Sequence, residues 1–488
     1  MRPLFLALLL LPPQDDDKIA PAVLQRLGAG EKVPVIILGR TQLVDPPKGF
    51  DDFCAANAKA KRLALRKDVV ARLKEIARKE QADILEKLGK PEGARPLWIV
   101  NAIAVTLSPD DIRKAAALET VKYVYPGQPP PAAGDAGAVS EVLKPVERKA
   151  FTAEGRKVPW NLEKIGALRA WNELKTTGEG IVIAMLDAGV NYAHEDLRAN
   201  VWINAGETAN NGRDDDGNGY VDDLYGFNFE AMKAEVRATG DRQHGTWTTG
   251  IAAGDGTGGT ITGVAPRARI MLLMGMSTRS AALATQYAVE HGADVINMSF
   301  SIPNLGQLRG FWRMLSDHAT CAGLVCVSGC GNFQQQQKIP VQMRIPEGIP
   351  SCIGAGGLDE KLEVPNFASL GPVEWESVKF YGDHAMPKGL TKPDVCGFTG
   401  PGYPLLAAAD KGYLDPNNQF RGNSFSSPHV AGVAALMLSA NRDLPAWRVR
   451  EIMEATATDL GDKGKDSRTG AGLANAFEAV RAAQAAGK

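Results

Sequence analysis

Four apolar-rich runs without regular polar alternation constrain this chain more than any other feature: "IVIAMLD" (181–187), "ARIMLLM" (268–274), "ADVINMSF" (293–300) and "GLVCVSG" (323–329). A strand with one wet face alternates apolar and polar residues, whereas a run without alternation is buried on both faces. Helix-like stretches such as "SAALATQYAVEHG" (280–292) lie between these runs. Strands alternating with helices over 159–488 predict an α/β domain, a parallel sheet with a helix layer on either side. In such sheets reactive groups gather beyond the carboxyl ends of the strands.

At 488 residues the chain is long enough for two or three domains. Lys and Arg number 55 against 56 Asp and Glu, a formal charge of −1, which argues against a dedicated nucleic-acid binder. The front of the chain reads differently from the back. Over 30–126, "VPVIIL" (33–38) predicts a strand, and Val69, Val70, Leu73, Ile76 and Ala77 recur at helical spacing. "PLWIVNAIAVTLS" (96–108) predicts two strands hinged at Asn101. Ser108 then caps a helix with acids in its first turn, and "VKYVY" closes as a strand. The order β-α-β-β-α-β predicts a small ferredoxin-like α+β sandwich.

"GQPPPAAGDAGA" and the mixed charges after it (127–158) read as an exposed linker, the kind of segment in which proteolytic nicking concentrates. At the other end, Arg2 precedes eight apolar residues, too few for a bilayer span but suited to a secretory signal over 1–20. Export to the periplasm or the medium is the expectation. No other segment approaches transmembrane length. Six cysteines, at 54, 321, 326, 330, 352 and 396, form no C-x-x-C pair, so zinc is not expected.

Three short stretches carry candidate chemistry. Asp187 ends the first apolar run within "DAG" (187–189), His244 opens "HGT" (244–246), and Ser424 stands in "GNSFSSPH" (422–429). In this order they resemble the subtilisin-like serine proteases, the subtilases. The flanks "DGTGGTITGVAPRARI", "VINMSF" and "LPAWRVREIMEATATDLG" extend the resemblance over nearly all of 159–488. It implies a three-layer subtilisin-like catalytic domain acting on proteins or peptides. His244 would be the general base, Asp187 its orienting carboxylate, Ser424 the nucleophile and Asn332 of "GCGNF" the oxyanion donor. Pro428 sets the following buried helix to start just before it, which puts Ser424 at the helix entrance. Ser426 and Ser427 then fall within the opening turn.

Several residues depart from the family pattern. Ala188 replaces a hydroxyl residue, Asn423, Phe425 and Ser426 surround the nucleophile, Trp247 replaces a histidine, and Ser301 adds a side chain in the substrate cleft. These keep open a second reading, a catalytically silent subtilase fold that binds peptides or partners. The 30–126 region is similar to inhibitor-like propeptides of the larger bacterial members near bacillopeptidase F. That similarity implies a zymogen whose own prodomain inhibits it until the linker is cut. Finally, in "NGRDDDGNGYVDDLYG", Asp214, Asp216, Asn218, Tyr220 and Asp222 follow the spacing of an EF-hand calcium loop, with Tyr225 where the last glutamate belongs and Asp223 beside it.

Overall fold

The computed structural model describes residues 16–487 apart from 29, 130–138, 140, 145, 149, 239, 241 and 242. The first fifteen residues of the expected signal and part of the expected linker therefore lie outside the described residues. The chain divides into two compact units, 1–42 with 73–130 and 43–72 with 131–488. No helix among the described residues is long and apolar enough to cross a membrane.

The smaller unit opens with α1 (Pro21–Leu27). Its sheet comprises β1 (Val33–Gly39), β2 (Arg95–Leu97), β3 (Ala102–Leu107) and β4 (Val121–Pro126), ordered β2-β3-β1-β4. Every pairing is antiparallel, as a ferredoxin-like sandwich requires. Asn101 sits between β2 and β3 at φ 43°, a left-handed position that asparagine tolerates, and its amide donates to Thr41 O (2.9 Å) and to Glu80 (2.7 Å). Helix α4 (Pro109–Ala117) is capped as the sequence predicts, with the Asp111 amide donating to Ser108 Oγ.

The stretch 43–72 falls with the larger unit, inside the 30–126 span read from the sequence as one domain. It holds α2 (Gly49–Ala56) and the start of α3 (Arg62–Lys87). Arg62 pairs with Asp294 at 2.7 Å, both side chains 1% exposed. Its guanidinium also donates to Gly323 O (3.0 Å) and Arg442 O (3.1 Å). Arg66 donates to the carbonyls of Ala293 and Ala322, and Phe53 meets Trp447 edge to face at 6.1 Å.

After α5 (Trp160–Lys164) and α6 (Ala167–Asn172), the larger unit builds its sheet from β5 (Val182–Asp187), β6 (Gly226–Asn228), β7 (Arg269–Met274), β8 (Val295–Met298), β9 (Val325–Gly329), β10 (Ile353–Leu358) and β11 (Val395–Phe398). The order is β11-β10-β9-β8-β5-β7-β6, parallel throughout. Between β7 and β8 the chain crosses from one side of β5 to the other, so the end of β5 is the topological switch point. One helix layer contains α7 (His244–Ala253), α10 (Asn423–Ala440) and α12 (Ala476–Ala485), with α10 across β8 to β11. Helices α8 (Thr278–Glu290) and α9 (Arg309–Cys321) pack together against β5, β7 and β9, and α11 (Ala446–Thr456) contacts α9, α10 and α12.

Helix α10 begins at Asn423, five residues before Pro428, earlier than the proline alone indicates. Pro428 has no N–H to give the Ser424 carbonyl, and the Ser427 hydroxyl donates to that carbonyl instead (3.4 Å). All six cysteines are free thiols, five of them buried, and burial pushes Cys326 up to about 12.

Arg62→Ala would leave the buried Asp294 carboxyl without its ion-pair partner, still accepting the Val182 amide (3.0 Å). Loss of about 3–5 kcal/mol is the expectation for breaking such a pair from one side. Urea unfolding followed by tryptophan fluorescence measures it, and a change under about 1 kcal/mol would reduce the pair to a surface-like contribution.

Candidate active site

Asp187 ends β5 with 4% of its surface exposed. A carboxylate at that depth needs compensating donors, and it has them. Oδ1 accepts the Ala188 amide (2.7 Å), Oδ2 accepts the Thr248 hydroxyl (3.0 Å), and His244 Nδ1 lies 2.9 and 3.0 Å from the two oxygens. Ala188 thus contributes its backbone where a hydroxyl side chain was expected, and Thr248 supplies the hydroxyl from α7.

The small residues of both motifs bring α7 this close. Gly189 is at φ +110°, a conformation that disfavours any side chain. A Cβ on Gly245 would stand 2.2 Å from the Gly189 carbonyl. Thr246, fully buried, accepts the Asn191 amide at 2.8 Å and ties the start of α7 to the strand exit. His244 is the first residue of α7, and its side chain is 38% exposed. Burial works against charging the imidazole, but the Asp187 carboxylate outweighs it, and the His244 pKa is raised above the usual histidine value. His429, by contrast, is fully buried and lowered to about 4 by desolvation, a neutral structural histidine.

The three serines of α10 separate by partner. Ser426 is fully buried, accepts the Gly397 amide (2.9 Å) and donates to Gly356 O. Ser427 is fully buried against the Ser299 hydroxyl (2.8 Å). Ser424 alone of the three is part-exposed, and it lines a cleft of about 350 Å³ together with Asp187, His244 and Asn332. No hydrogen bond joins Ser424 to His244; in substrate-free sites this contact is often long and tightens on binding.

Asn332 is fixed from the serine helix. The Asn423 amide N–H donates to Asn332 Oδ1 (2.9 Å), and the Asn423 side chain donates to Gly331 O (2.6 Å). With its oxygen engaged, Asn332 has Nδ2 as its remaining donor. Asn423, a departure from the family pattern, therefore zips the Gly331–Asn332 turn to the start of α10. Phe425 lies near-parallel to the His244 ring at 6.4 Å, and Trp247 packs on Phe420 at 4.2 Å, so the two aromatic departures build a flank beside the imidazole.

The acidic loop groups a different set from the one its spacing suggests. Glu207, Asp216 and Asp223 each place one carboxylate oxygen within 4.8 Å of the others. Asp214 instead accepts the amides of Asn218 and Gly219, Asp222 accepts those of Asn211 and Gly212, and the Tyr220 ring packs on Phe227 and Tyr287. Asn218 Nδ2 donates to both Asp216 and Asp223, as does Asn204 Nδ2, and the Tyr287 hydroxyl donates to Asp223 (2.6 Å). Burial raises the pKa of Glu207 and of Asp223, and Glu207 Oε2 is buried with no partner. Such a set of oxygen donors with an orphaned carboxylate oxygen fits a hard divalent cation such as calcium. Glu207 lies outside the twelve-residue loop, and nothing in its sequence context marked it.

The chain is similar to known proteins in sequence and in fold. The chain matches the Subtilase family over residues 178–472. It is 25% identical over 501 residues to Bacillopeptidase F of Bacillus subtilis, covering 96% of this chain and 32% of that protein. Fervidolysin of Fervidobacterium pennivorans is 27% identical over 404 residues, 77% of this chain and 52% of the relative. Subtilisin-like protease 1 of Plasmodium berghei is 26% identical over 330 residues, 64% and 51%. The chain thus spans about half or less of the length of these relatives. The crystal structure of fervidolysin superposes with a TM-score of 0.57 at 20% identity, over 92% of this chain and 61% of that one, a likeness of fold. With the match covering more than half of its residues, this chain belongs to the subtilase family.

Proposed function

We propose that the protein is an exported, calcium-stabilised serine endopeptidase made as a zymogen. The observation that carries this reading is the His244–Asp187 pair opening onto the same cleft as Ser424 and Asn332. In the proposed reaction His244 takes the Ser424 proton as the hydroxyl oxygen attacks the substrate carbonyl, and Asp187 holds the tautomer and stabilises the imidazolium. Asn332 Nδ2 and the backbone amides at the start of α10 meet the developing oxyanion. His244 then protonates the leaving amine, and water releases the acyl group from Ser424 by the same route.

Maturation by a cut within 127–158 follows from the resemblance, with the ferredoxin-like unit as inhibitor of its own protease. The stretch 43–72 would remain with the catalytic unit after such a cut, because Arg62 and Arg66 are bonded into it. Glu207, Asp216 and Asp223 would hold the calcium ion, which when bound supplies charge neutralisation to the loop.

Wild-type protein is expected to take up a fluorophosphonate probe and cleave peptides, and Ser424→Ala to do neither. Equal absence of labelling in both, after the linker is cut, would refute the protease reading. Asn332→Ala is expected to lower kcat by about 10²–10³ with the labelling site intact.

Since the base must be neutral and its pKa is raised, activity is present above the shifted value and lost as pH falls through it. The acid limb of kcat/KM should therefore lie above pH 6.5, and Asp187→Asn should move it down. An acid limb at or below 6.5 contradicts the assigned pairing.

Calcium at a hundredfold excess over its Kd is expected to add about 2.7 kcal/mol to stability, read as a raised Tm that a chelator reverses. Glu207→Gln with Asp216→Asn should remove the response. A Tm indifferent to calcium in the wild type returns the loop to ordinary surface.

A further inference from the structure

Glu347 follows a cis Ile345–Pro346 turn in the loop before β10, and its side chain is fully buried. Its Oε1 accepts the Ser301 hydroxyl and the Arg344 amide (3.2 Å), while Oε2 is buried without a hydrogen-bond partner. Among the described residues it forms no ion pair. The ammonium of Lys392, near enough to influence it, is committed to Asp394 and to the Cys352 carbonyl. Burial pushes Glu347 up to about 7, against the bonds from Ser301 and the backbone. A glutamine would fill the same volume without placing an uncompensated carboxyl in the interior. The compensation missing from the protein points outward, to what binds in the cleft.

Ser301 is the connection. It lines the cleft that contains His244 and Ser424, and its proton goes to Glu347, so toward the cleft it presents acceptor lone pairs. The Phe333 ring is its neighbour: a Cβ on Gly331 would meet Ser301 Oγ at 2.8 Å and the Phe333 ring at 2.9 Å. The lining of the cleft contains no lysine or arginine among the described residues. An acceptor backed by a buried carboxyl, beside an aromatic wall, suits a long side chain with an apolar stem and a cationic, donor-only head.

We infer that Glu347, acting through Ser301, selects a basic residue, lysine or arginine, immediately before the scissile bond. This deepens the proposed protease reading and rests on it. Glu347 is a specificity residue and takes no part in bond breaking.

A panel of peptides differing only at that position (Lys, Arg, Gln, Leu, Phe) is assayed with the full-length protein after its own maturation. Lysine and arginine substrates are expected to exceed leucine and glutamine in kcat/KM by at least about tenfold, mostly through KM. Glu347→Gln should collapse that ratio to near one. Ser301→Ala should lower it as well, and it carries the same expectation if the buried variant does not fold. A wild-type ratio near or below one, or a ratio that survives either substitution, overturns the inference while leaving the protease reading in place. A protein that cuts no peptide and takes no fluorophosphonate on Ser424 refutes the protease reading itself, and this inference with it.

Discussion

The pairing of His244 with Asp187 governs most of the architecture around it, because it places a carboxylate 4% exposed at the end of a central strand. That group is tolerable only with several donors around it. One comes from its own chain neighbour, Ala188, and two come from α7, through His244 and Thr248. The helix can deliver them only if its first turn nearly touches the exit of β5. The glycines at 189 and 245 are the residues that permit this approach.

A second convergence brings the nucleophile's helix to the same end of the sheet. A Cβ on Gly329 would stand 2.5 Å from the Asn423 carbonyl, and one on Gly357 would stand 2.0 Å from Asn423 Oδ1. The strands are bare where α10 presses on them. Pro428 breaks one backbone bond early in that helix, and Ser427 repairs it, so the helix extends back far enough to carry Ser424 to the cleft. Asn423 then couples this helix to Asn332, so that proposed nucleophile and proposed oxyanion donor are positioned by one local network.

The ion pair between Arg62 and Asp294 ties the stretch 43–72 into the larger unit. Asp294 also accepts the amide of Val182, the first residue of β5, so the arginine from 43–72 supports the base of the strand whose far end carries Asp187. The sequence ahead of residue 127 divides between the smaller unit and the larger one. The boundary falls within α3, whose charged, continuous helical pattern has no break at residue 72.

Much was legible before any coordinates. Apolar-rich runs without regular alternation announce strands covered on both faces, and those at 181–187, 268–274, 293–300 and 323–329 became β5, β7, β8 and β9. The small sandwich followed from its element order, and the motifs around Asp187, His244 and Ser424 led to residues that line one cleft. Strand β10, "IGAGGL", gave no such signal, since glycine has low strand propensity and is there to admit Asn423, Pro393 and Cys396. Local sequence determines what neighbours along the chain can form, which covers periodicity, caps, turns and contiguous motifs. Only the tertiary structure decides which distant groups share one low-dielectric space. That is why Glu207 joining Asp216 and Asp223, Arg62 neutralising Asp294, and Glu347 standing behind Ser301 were visible only once the chain was folded.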